Sequence, residues 1–253
     1  MGNCKFRVLS LYWNNVNPEL VSAQSRVFNF FGYPIEQQNL HGADHGAWME
    51  KMLNSAADDE VVIIVDIDCI PLSAEAIERA VRVAQNGAIF GCAQSANHID
   101  HRFIYAAPMF LALTGRTWRL LDTPSLKAGE QYDVAGRLSA VARQRGVLVE
   151  LVYPTCAAVP RWLLGDTSTY GLFTVFEGQY LHLFESRNTA LVQSFVDLSD
   201  SLVAEGELFD YRSFVLRCSQ ESHEQYAKKY FLKHSFSGKL KREWARLKKR
   251  LGR

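Results

Sequence analysis

The segment Val61-Val-Ile-Ile-Val-Asp66-Ile-Asp68-Cys-Ile-Pro71 constrains the fold more than any other in the chain. Val61 to Val65 are consecutive apolar, β-branched residues, and such a run without polar alternation predicts a strand buried on both faces. A strand of that kind belongs inside an α/β sheet. It delivers two carboxylates, Asp66 and Asp68, and Pro71 ends it, because proline has no N–H to give to a ladder. Open α/β sheets bind ligands in the crevice at the carboxyl ends of their strands. Two acids so close repel each other, and a divalent cation held between them and a substrate's phosphates removes that cost.

The flanking pattern agrees with a sheet of this type. Phe6 to Tyr12 reads as an opening strand, followed by a polar loop from Trp13. Asn17 as cap and Pro18 at the first helical position begin a helix to about Phe31, with Leu20, Val21, Val27, Phe28 and Phe31 on its core face. A short strand at Ile35 to Gln37 precedes the loop His41 to Gly46 and a helix through about Asn54. Ser73 caps a helix over Ala74 to Ala84, with Glu75 favourably placed in its first turn. Strands follow at Ala88 to Cys92 and at Ile104 to Leu113, the latter broken around Pro108. A helix is expected from Glu130 to Arg145, then a strand at Val147 to Val152. Tyr170 to Phe176 and Gln179 to Phe184 read as two strands joined at Glu177-Gly178, and beyond Asn188 the pattern is helical. Strands alternating with helices predict an α/β fold with a mostly parallel sheet.

The chain of 253 residues suits one large domain, or one domain with an extension. No run is long enough to span a bilayer, and no signal peptide is expected. Five scattered cysteines without a CxxC pair read as free thiols in a reducing cytoplasm. The net charge of +1 conceals an asymmetry. Lys239 to Arg253 holds eight basic residues and one acid, leaving the remainder of the chain at −6. Leu240, Trp244, Leu247 and Leu251 form one stripe of a helix there, with Lys and Arg on the other faces. A basic amphipathic helix carrying Trp fits an anionic membrane surface better than nucleic acid, which needs no apolar face. A partner protein or a solvated helix end are the other options.

The acidic pair admits more than one reading. Strand-end acids can simply be solvated or cap the next helix. A hydrophobic strand followed by Asp-x-Asp also resembles the phosphatases of the haloacid dehalogenase type. That family carries its motif on the first strand and needs a later acidic pair. Here α/β pattern precedes Asp66, and Tyr170 stands where the second acid belongs in Gly165-Asp166-Thr-Ser-Thr-Tyr170.

The order of features over about residues 6–190 resembles the GT-A nucleotide-sugar glycosyltransferases. The first strand ends in the polar and aromatic loop Tyr12-Trp13-Asn14, and a hydrophobic strand then runs into Asp66-Ile-Asp68. Ile104-Tyr-Ala-Ala-Pro-Met-Phe-Leu is similar to the strand that passes beneath the sugar. Glu130-Gln-Tyr-Asp133 resembles the acidic helix start that points at the acceptor, and His182 lies on a late strand where many such enzymes keep a third metal ligand. The chain departs from the pattern in having no contiguous Glu-Asp.

The resemblance implies a GT-A-like domain over residues 1–190, a Rossmann-like mixed, mostly parallel sheet flanked by helices. A helical extension, 191–253, follows and ends in the basic amphipathic helix. It implies metal-dependent transfer of a sugar from a nucleotide donor, a UDP-sugar, to a hydroxyl acceptor such as a lipid-linked or lipopolysaccharide glycan. Mn²⁺ or Mg²⁺ would be held by Asp66, Asp68 and His182, Asp68 most directly and Asp66 shared with the nucleotide. His182 between two leucines can equally satisfy a core hydrogen bond. An inverting reaction needs a carboxylate base, for which Asp133 is the first choice and Glu130 the second; a retaining one needs none. Tyr12, Trp13 and Asn14 are expected at the base, by stacking and amide hydrogen bonding. His45, with Trp48, is expected to face the same cleft, and Arg187 to meet phosphate. His98, Asp100 and His101 are expected to line the acceptor side or lie exposed rather than bind zinc. The alternatives are a Mg²⁺ phosphatase and a non-catalytic module on a membrane surface. The location expected is cytoplasmic, peripheral on the inner membrane face.

Overall fold

The computed structural model describes residues 5–186, 189–206 and 209–218. Arg187 and the basic segment Lys239 to Arg253 lie outside the described residues. The elements in order are β1 (Phe6–Tyr12), α1 (Pro18–Phe30), β2 (Ile35–Asn39), α2 (His45–Asn54), β3 (Val61–Val65), β4 (Cys69–Pro71), α3 (Ala74–Gln85), β5 (Ile89–Ala96) and β6 (Asp100–Thr114). Then come α4 (Gly115–Leu120), α5 (Gly136–Gln144), β7 (Val149–Val152), β8 (Pro154–Leu164), β9 (Ser168–Phe176), β10 (Tyr180–His182) and α6 (Thr189–Glu205).

Six strands form the central sheet in the order β2-β1-β3-β6-β5-β7. β1 runs parallel to β2 and β3, and β5 parallel to β7, while β6 opposes both its neighbours. The sheet is therefore mixed and mostly parallel. The β-branched run of β3 is buried throughout because helices cover both sides. Its alternation divides it: Val61, Ile63 and Val65 pack with Leu20, Val27 and Phe28 of α1 and Ile77 and Ala80 of α3. Val62 and Ile64 face Trp48, Met49 and Leu53 of α2, Trp118 of α4 and Leu138 of α5. Burial of such side chains contributes about 1.5–3 kcal/mol each, so this strand is the natural axis of the core.

A second, antiparallel sheet has the order β4-β10-β9-β8 and joins the core on the α1 and α3 side. Here the structure departs from the expected single strand through Pro71. β3 stops at Val65, Asp66 to Asp68 form a tight turn closed by Cys69 N–H donating to Asp66 O at 2.9 Å, and β4 begins the second sheet. The acidic pair thus sits at the junction of two sheets.

Three further differences have local causes. β6 is one continuous strand of 15 residues, and Pro108 falls within a bulge, where the register jumps from Gly91↔Leu111 to Cys92↔Ala107. A bulge asks no N–H of the proline. The helix expected from Glu130 starts at Gly136. Residues before it are held as a loop: Ala135 N–H donates to Leu126 O at 2.9 Å, and Ala135 itself adopts a positive φ of 65°. β8 and α4 were not expected. β8 carries Pro154 and Pro160 and little alternation, and it exists as the long partner of β9. Glu177-Gly178, both at positive φ, make the tight turn between β9 and β10.

Beyond residue 188, α6 and a helical stretch over 211–218 follow the helical pattern. α6 lies on α1, with Leu191, Phe195, Leu198 and Leu202 in the same core as β3 and Arg26 paired to Asp200 at 2.6 Å. Among the described residues, no helix is long and apolar enough to cross a membrane.

Candidate functional site

Asp66 and Asp68 occupy the turn that leaves β3, at the carboxyl edge of the sheet where β1 also ends. Three backbone anchors hold that turn. Asp66 N–H donates to Met109 O of β6 at 3.1 Å, Leu183 N–H donates to Asp68 O at 2.9 Å, and Cys69 N–H closes the turn itself. β10 runs beside β4 in a register that sets His182 opposite Cys69, which brings the imidazole to the acids. His182 Nε2 lies 3.0 Å from Asp68 Oδ1 and 3.8 Å from Asp66 Oδ2.

These three residues form the one group of potential metal ligands among the described residues, with one ligand atom from each within 4.8 Å of the others. Their chemistry fits a hard divalent cation of the Mn²⁺ or Mg²⁺ kind, since carboxylate oxygens dominate and Mn²⁺ accepts imidazole. The geometry fits as well. Ligands at about 2.1 Å on adjacent octahedral corners stand about 3 Å apart, which matches the separation of His182 Nε2 from Asp68 Oδ1. His182 Nδ1 is buried and has no hydrogen-bond partner among the described residues, so packing and the Nε2 contact with Asp68 orient the ring. Its neighbour there is the Phe184 ring, 3.8 Å away between centroids.

Electrostatics point the same way. Asp66 keeps 27% of its side chain accessible, yet burial of its surroundings pushes its carboxyl above the usual range. His45 and His182 oppose that rise, and the Asp68 charge adds to it. A carboxyl held above its usual range beside a second acid is a site prepared for a cation.

Of the residues expected at the nucleotide, His45 stands beside the acids: its Nε2 is 3.7 Å from Asp66 Oδ1. It is the first residue of α2, whose cap is Asp44. The ring lies between Trp13, at 6.5 Å edge-on, and Trp48, at 5.8 Å. Trp13 Nε1 donates to Ala43 O at 3.2 Å, so the indole is fixed to the α2 entry loop. Tyr12 is half-buried at the end of β1, paired in register with Asn39, and Asn14 is exposed on the turn that follows.

Asp133 and Glu130 separate in the structure. Glu130 is exposed, while Asp133 is half-buried, with its Oδ1 accepting from Val134 N–H at 2.8 Å. Tyr105 of β6 is fully buried, and its hydroxyl is pushed well above the usual range, first by burial and then by the charges of Asp133, Tyr170 and Asp66. Asp166, from the stretch weighed against a phosphatase acid, pairs with Arg102 at 3.1 Å and lies 3.7 Å from His101. Asn97 bridges to the Leu163 backbone in both directions, at 2.7 and 2.8 Å, so that hairpin is welded to β8.

Sequence reasoning passed over Gln24. It lies on the apolar face of α1, four residues from Leu20, and is fully buried. Its Nε2 donates to Asp66 O at 2.7 Å and to Cys69 O at 2.9 Å. A polar side chain inside an apolar helical stripe was the available signal.

No family model and no curated protein sequence matches the chain. Among solved structures, the chain is similar to a Drosophila β1,4-galactosyltransferase 7 mutant crystallised with manganese, UDP-Gal and xylobiose, with 12% identity and a TM-score of 0.43 over 70% of each chain. It is similar to the catalytic domain of the same Drosophila enzyme with xylobiose, at 14% identity and a TM-score of 0.40, covering 58% of this chain and 64% of that one. It is also similar to a Bacillus anthracis protein assigned as a glucose-1-phosphate thymidylyltransferase, in complex with a sucrose, at 9% identity and a TM-score of 0.38, covering 77% of this chain and 95% of that one.

Proposed function

We propose that this protein is a metal-dependent glycosyltransferase of the GT-A type, moving a sugar from a UDP-sugar to a hydroxyl acceptor. The observation that carries the reading is the Asp66, Asp68 and His182 cluster at the carboxyl edge of a mostly parallel sheet. In this reading the three side chains hold Mn²⁺ or Mg²⁺. Such an ion, when bound, stabilises the negative charge that develops on the leaving diphosphate. His45 borders Asp66, and with Trp13 edge-on to it provides the ring surface against which the nucleotide rests. Asp133 accepts the proton of the acceptor hydroxyl, its carboxylate held by the Val134 amide.

The acceptor we place at an anionic lipid surface on the cytoplasmic side, as a lipid-linked or lipopolysaccharide glycan. The support is the sequence of Lys239 to Arg253 with its Leu and Trp stripe. Removing that segment releases the protein from anionic vesicles in this reading, and unchanged vesicle binding removes it.

Thermal melting of the full chain with Mn²⁺ and a panel of nucleotides tests the activity class. UDP stabilises the protein when Mn²⁺ is present and has no effect in EDTA, because the ion bridges protein and diphosphate. Saturation at a hundredfold excess over Kd corresponds to about 2.7 kcal/mol. Equal stabilisation by UDP with and without metal would sink the reading. A response to phosphate mimics without base preference would assign a phosphatase instead.

A further inference from the structure

We propose that Gln24, backed by Gln37, is a positioning residue for the metal-ligand turn: a relay of two side-chain amides sets the spacing of Asp66 and Asp68 against His182. The proposal rests on the metal-dependent reading of that turn. Gln24 sits in the core with no exposed surface, where a polar side chain is tolerated only if its hydrogen bonds are met. Its carboxamide is fully used. The two hydrogens on Nε2 go to the carbonyls at either end of the turn, Asp66 O at 2.7 Å and Cys69 O at 2.9 Å.

The second amide fixes the first. Gln37 of β2 donates from Nε2 to Gln24 Oε1 at 2.9 Å and to Val21 O at 2.9 Å. Two carbonyl acceptors on one side and an amide donor on the other leave Gln24 a single orientation, because a flipped amide would set oxygen against oxygen. Cys69 is the residue opposite His182 in the β4–β10 ladder. A clamp that spans Asp66 O and Cys69 O therefore fixes both acids in the frame of the third ligand. Groups that orient metal ligands from behind change metal affinity by about 10–100-fold when removed.

The test is Mn²⁺ titration of the full chain, read by calorimetry and by the electron paramagnetic resonance of the ion, with melting in EDTA as the measure of the scaffold. Gln24→Met keeps the volume and removes both donors, and lowers Mn²⁺ affinity about tenfold or more. Gln37→Met gives a smaller loss, and the double variant binds no more weakly than Gln24→Met, since Gln37 acts through Gln24. Unchanged Mn²⁺ affinity in a folded Gln24→Met, or losses that multiply in the double variant, overturn the proposal. If Gln24→Met does not fold, Gln37→Met decides alone, and wild-type affinity there overturns it. Wild-type protein that binds no Mn²⁺ overturns both this proposal and the glycosyltransferase reading. Wild type that binds Mn²⁺ without any coupling to UDP overturns the functional reading only, and the affinity ratios of the variants still decide this one.

Discussion

His182 Nε2 stands 3.0 Å from Asp68 Oδ1, across 114 positions of sequence. The approach is set by backbone pairing. Leu183 N–H donates to Asp68 O, and the β4–β10 register places His182 beside Cys69, so a strand of three residues delivers the imidazole to the turn. The ring packs against Phe184, a residue held at a positive φ of 54° two positions after the strand. Non-glycine residues in that region of backbone space cost free energy and concentrate where geometry is constrained.

Asp66 makes stability depend on pH and on metal. Its folded pKa is raised above the ordinary value of 3.8, chiefly by burial, so the folded state holds the proton more tightly than the unfolded chain does. That contribution is present below pH 3.8 and is lost as pH rises through the raised folded value. In EDTA, Asp66→Asn therefore removes a decline in stability that wild type shows as pH rises above 3.8. With Mn²⁺ at neutral pH the order reverses, because wild type gains from the ion and the variant does not. Urea denaturation at two pH values, with EDTA and with Mn²⁺, measures all four. A variant as responsive to Mn²⁺ as wild type removes Asp66 from the ligand set.

Asp133→Asn separates proton transfer from binding. With Asp133 as general base, turnover falls by about 10²–10⁴-fold. Mn²⁺ and UDP affinities stay at wild-type values, because Asp133 is not among the ligand residues. Single-turnover assays alongside titration show the split. Undiminished turnover excludes Asp133 as base and leaves Glu130 or a retaining course.

Gly46→Ala tests how closely the loop after α4 approaches His45. A Cβ at Gly46 would stand 2.6 Å from the Lys127 backbone N and Cα, and backbone cannot swing aside as a side chain can. Overpacking of this kind costs about 1–3 kcal/mol. At about 2–4 °C per kcal/mol for a chain of this size, melting falls by several degrees. Nucleotide affinity falls with it, since α2 must shift and carries His45 away from Asp66. A melting temperature equal to wild type contradicts the packing described.

Much of the site was legible in the chain itself. The β-branched run marked β3, the acids after it marked the sheet edge, and His182 stood on a late strand in both the sequence reading and the structure. Asp133 was placed on a helix, but Ala135 at positive φ and the Ala135–Leu126 hydrogen bond hold it in a loop. Acids favour helix first turns and loops alike, so composition does not separate the two. Gln24 was hidden for the opposite reason. Its role depends on which carbonyls lie across from α1, and nothing local specifies that.

The sequence by itself determined the alternation of strands and helices, the double burial of β3 and the presence of two carboxylates at its end. These follow from side-chain branching, period and turn chemistry, which act over a few residues. Tertiary structure alone decided that the strand breaks at Val65 into a second sheet, that β10 pairs with β4, and that one buried amide spans the turn. Each of those depends on contacts between distant segments, where the partner's register and backbone direction set which polar atoms meet.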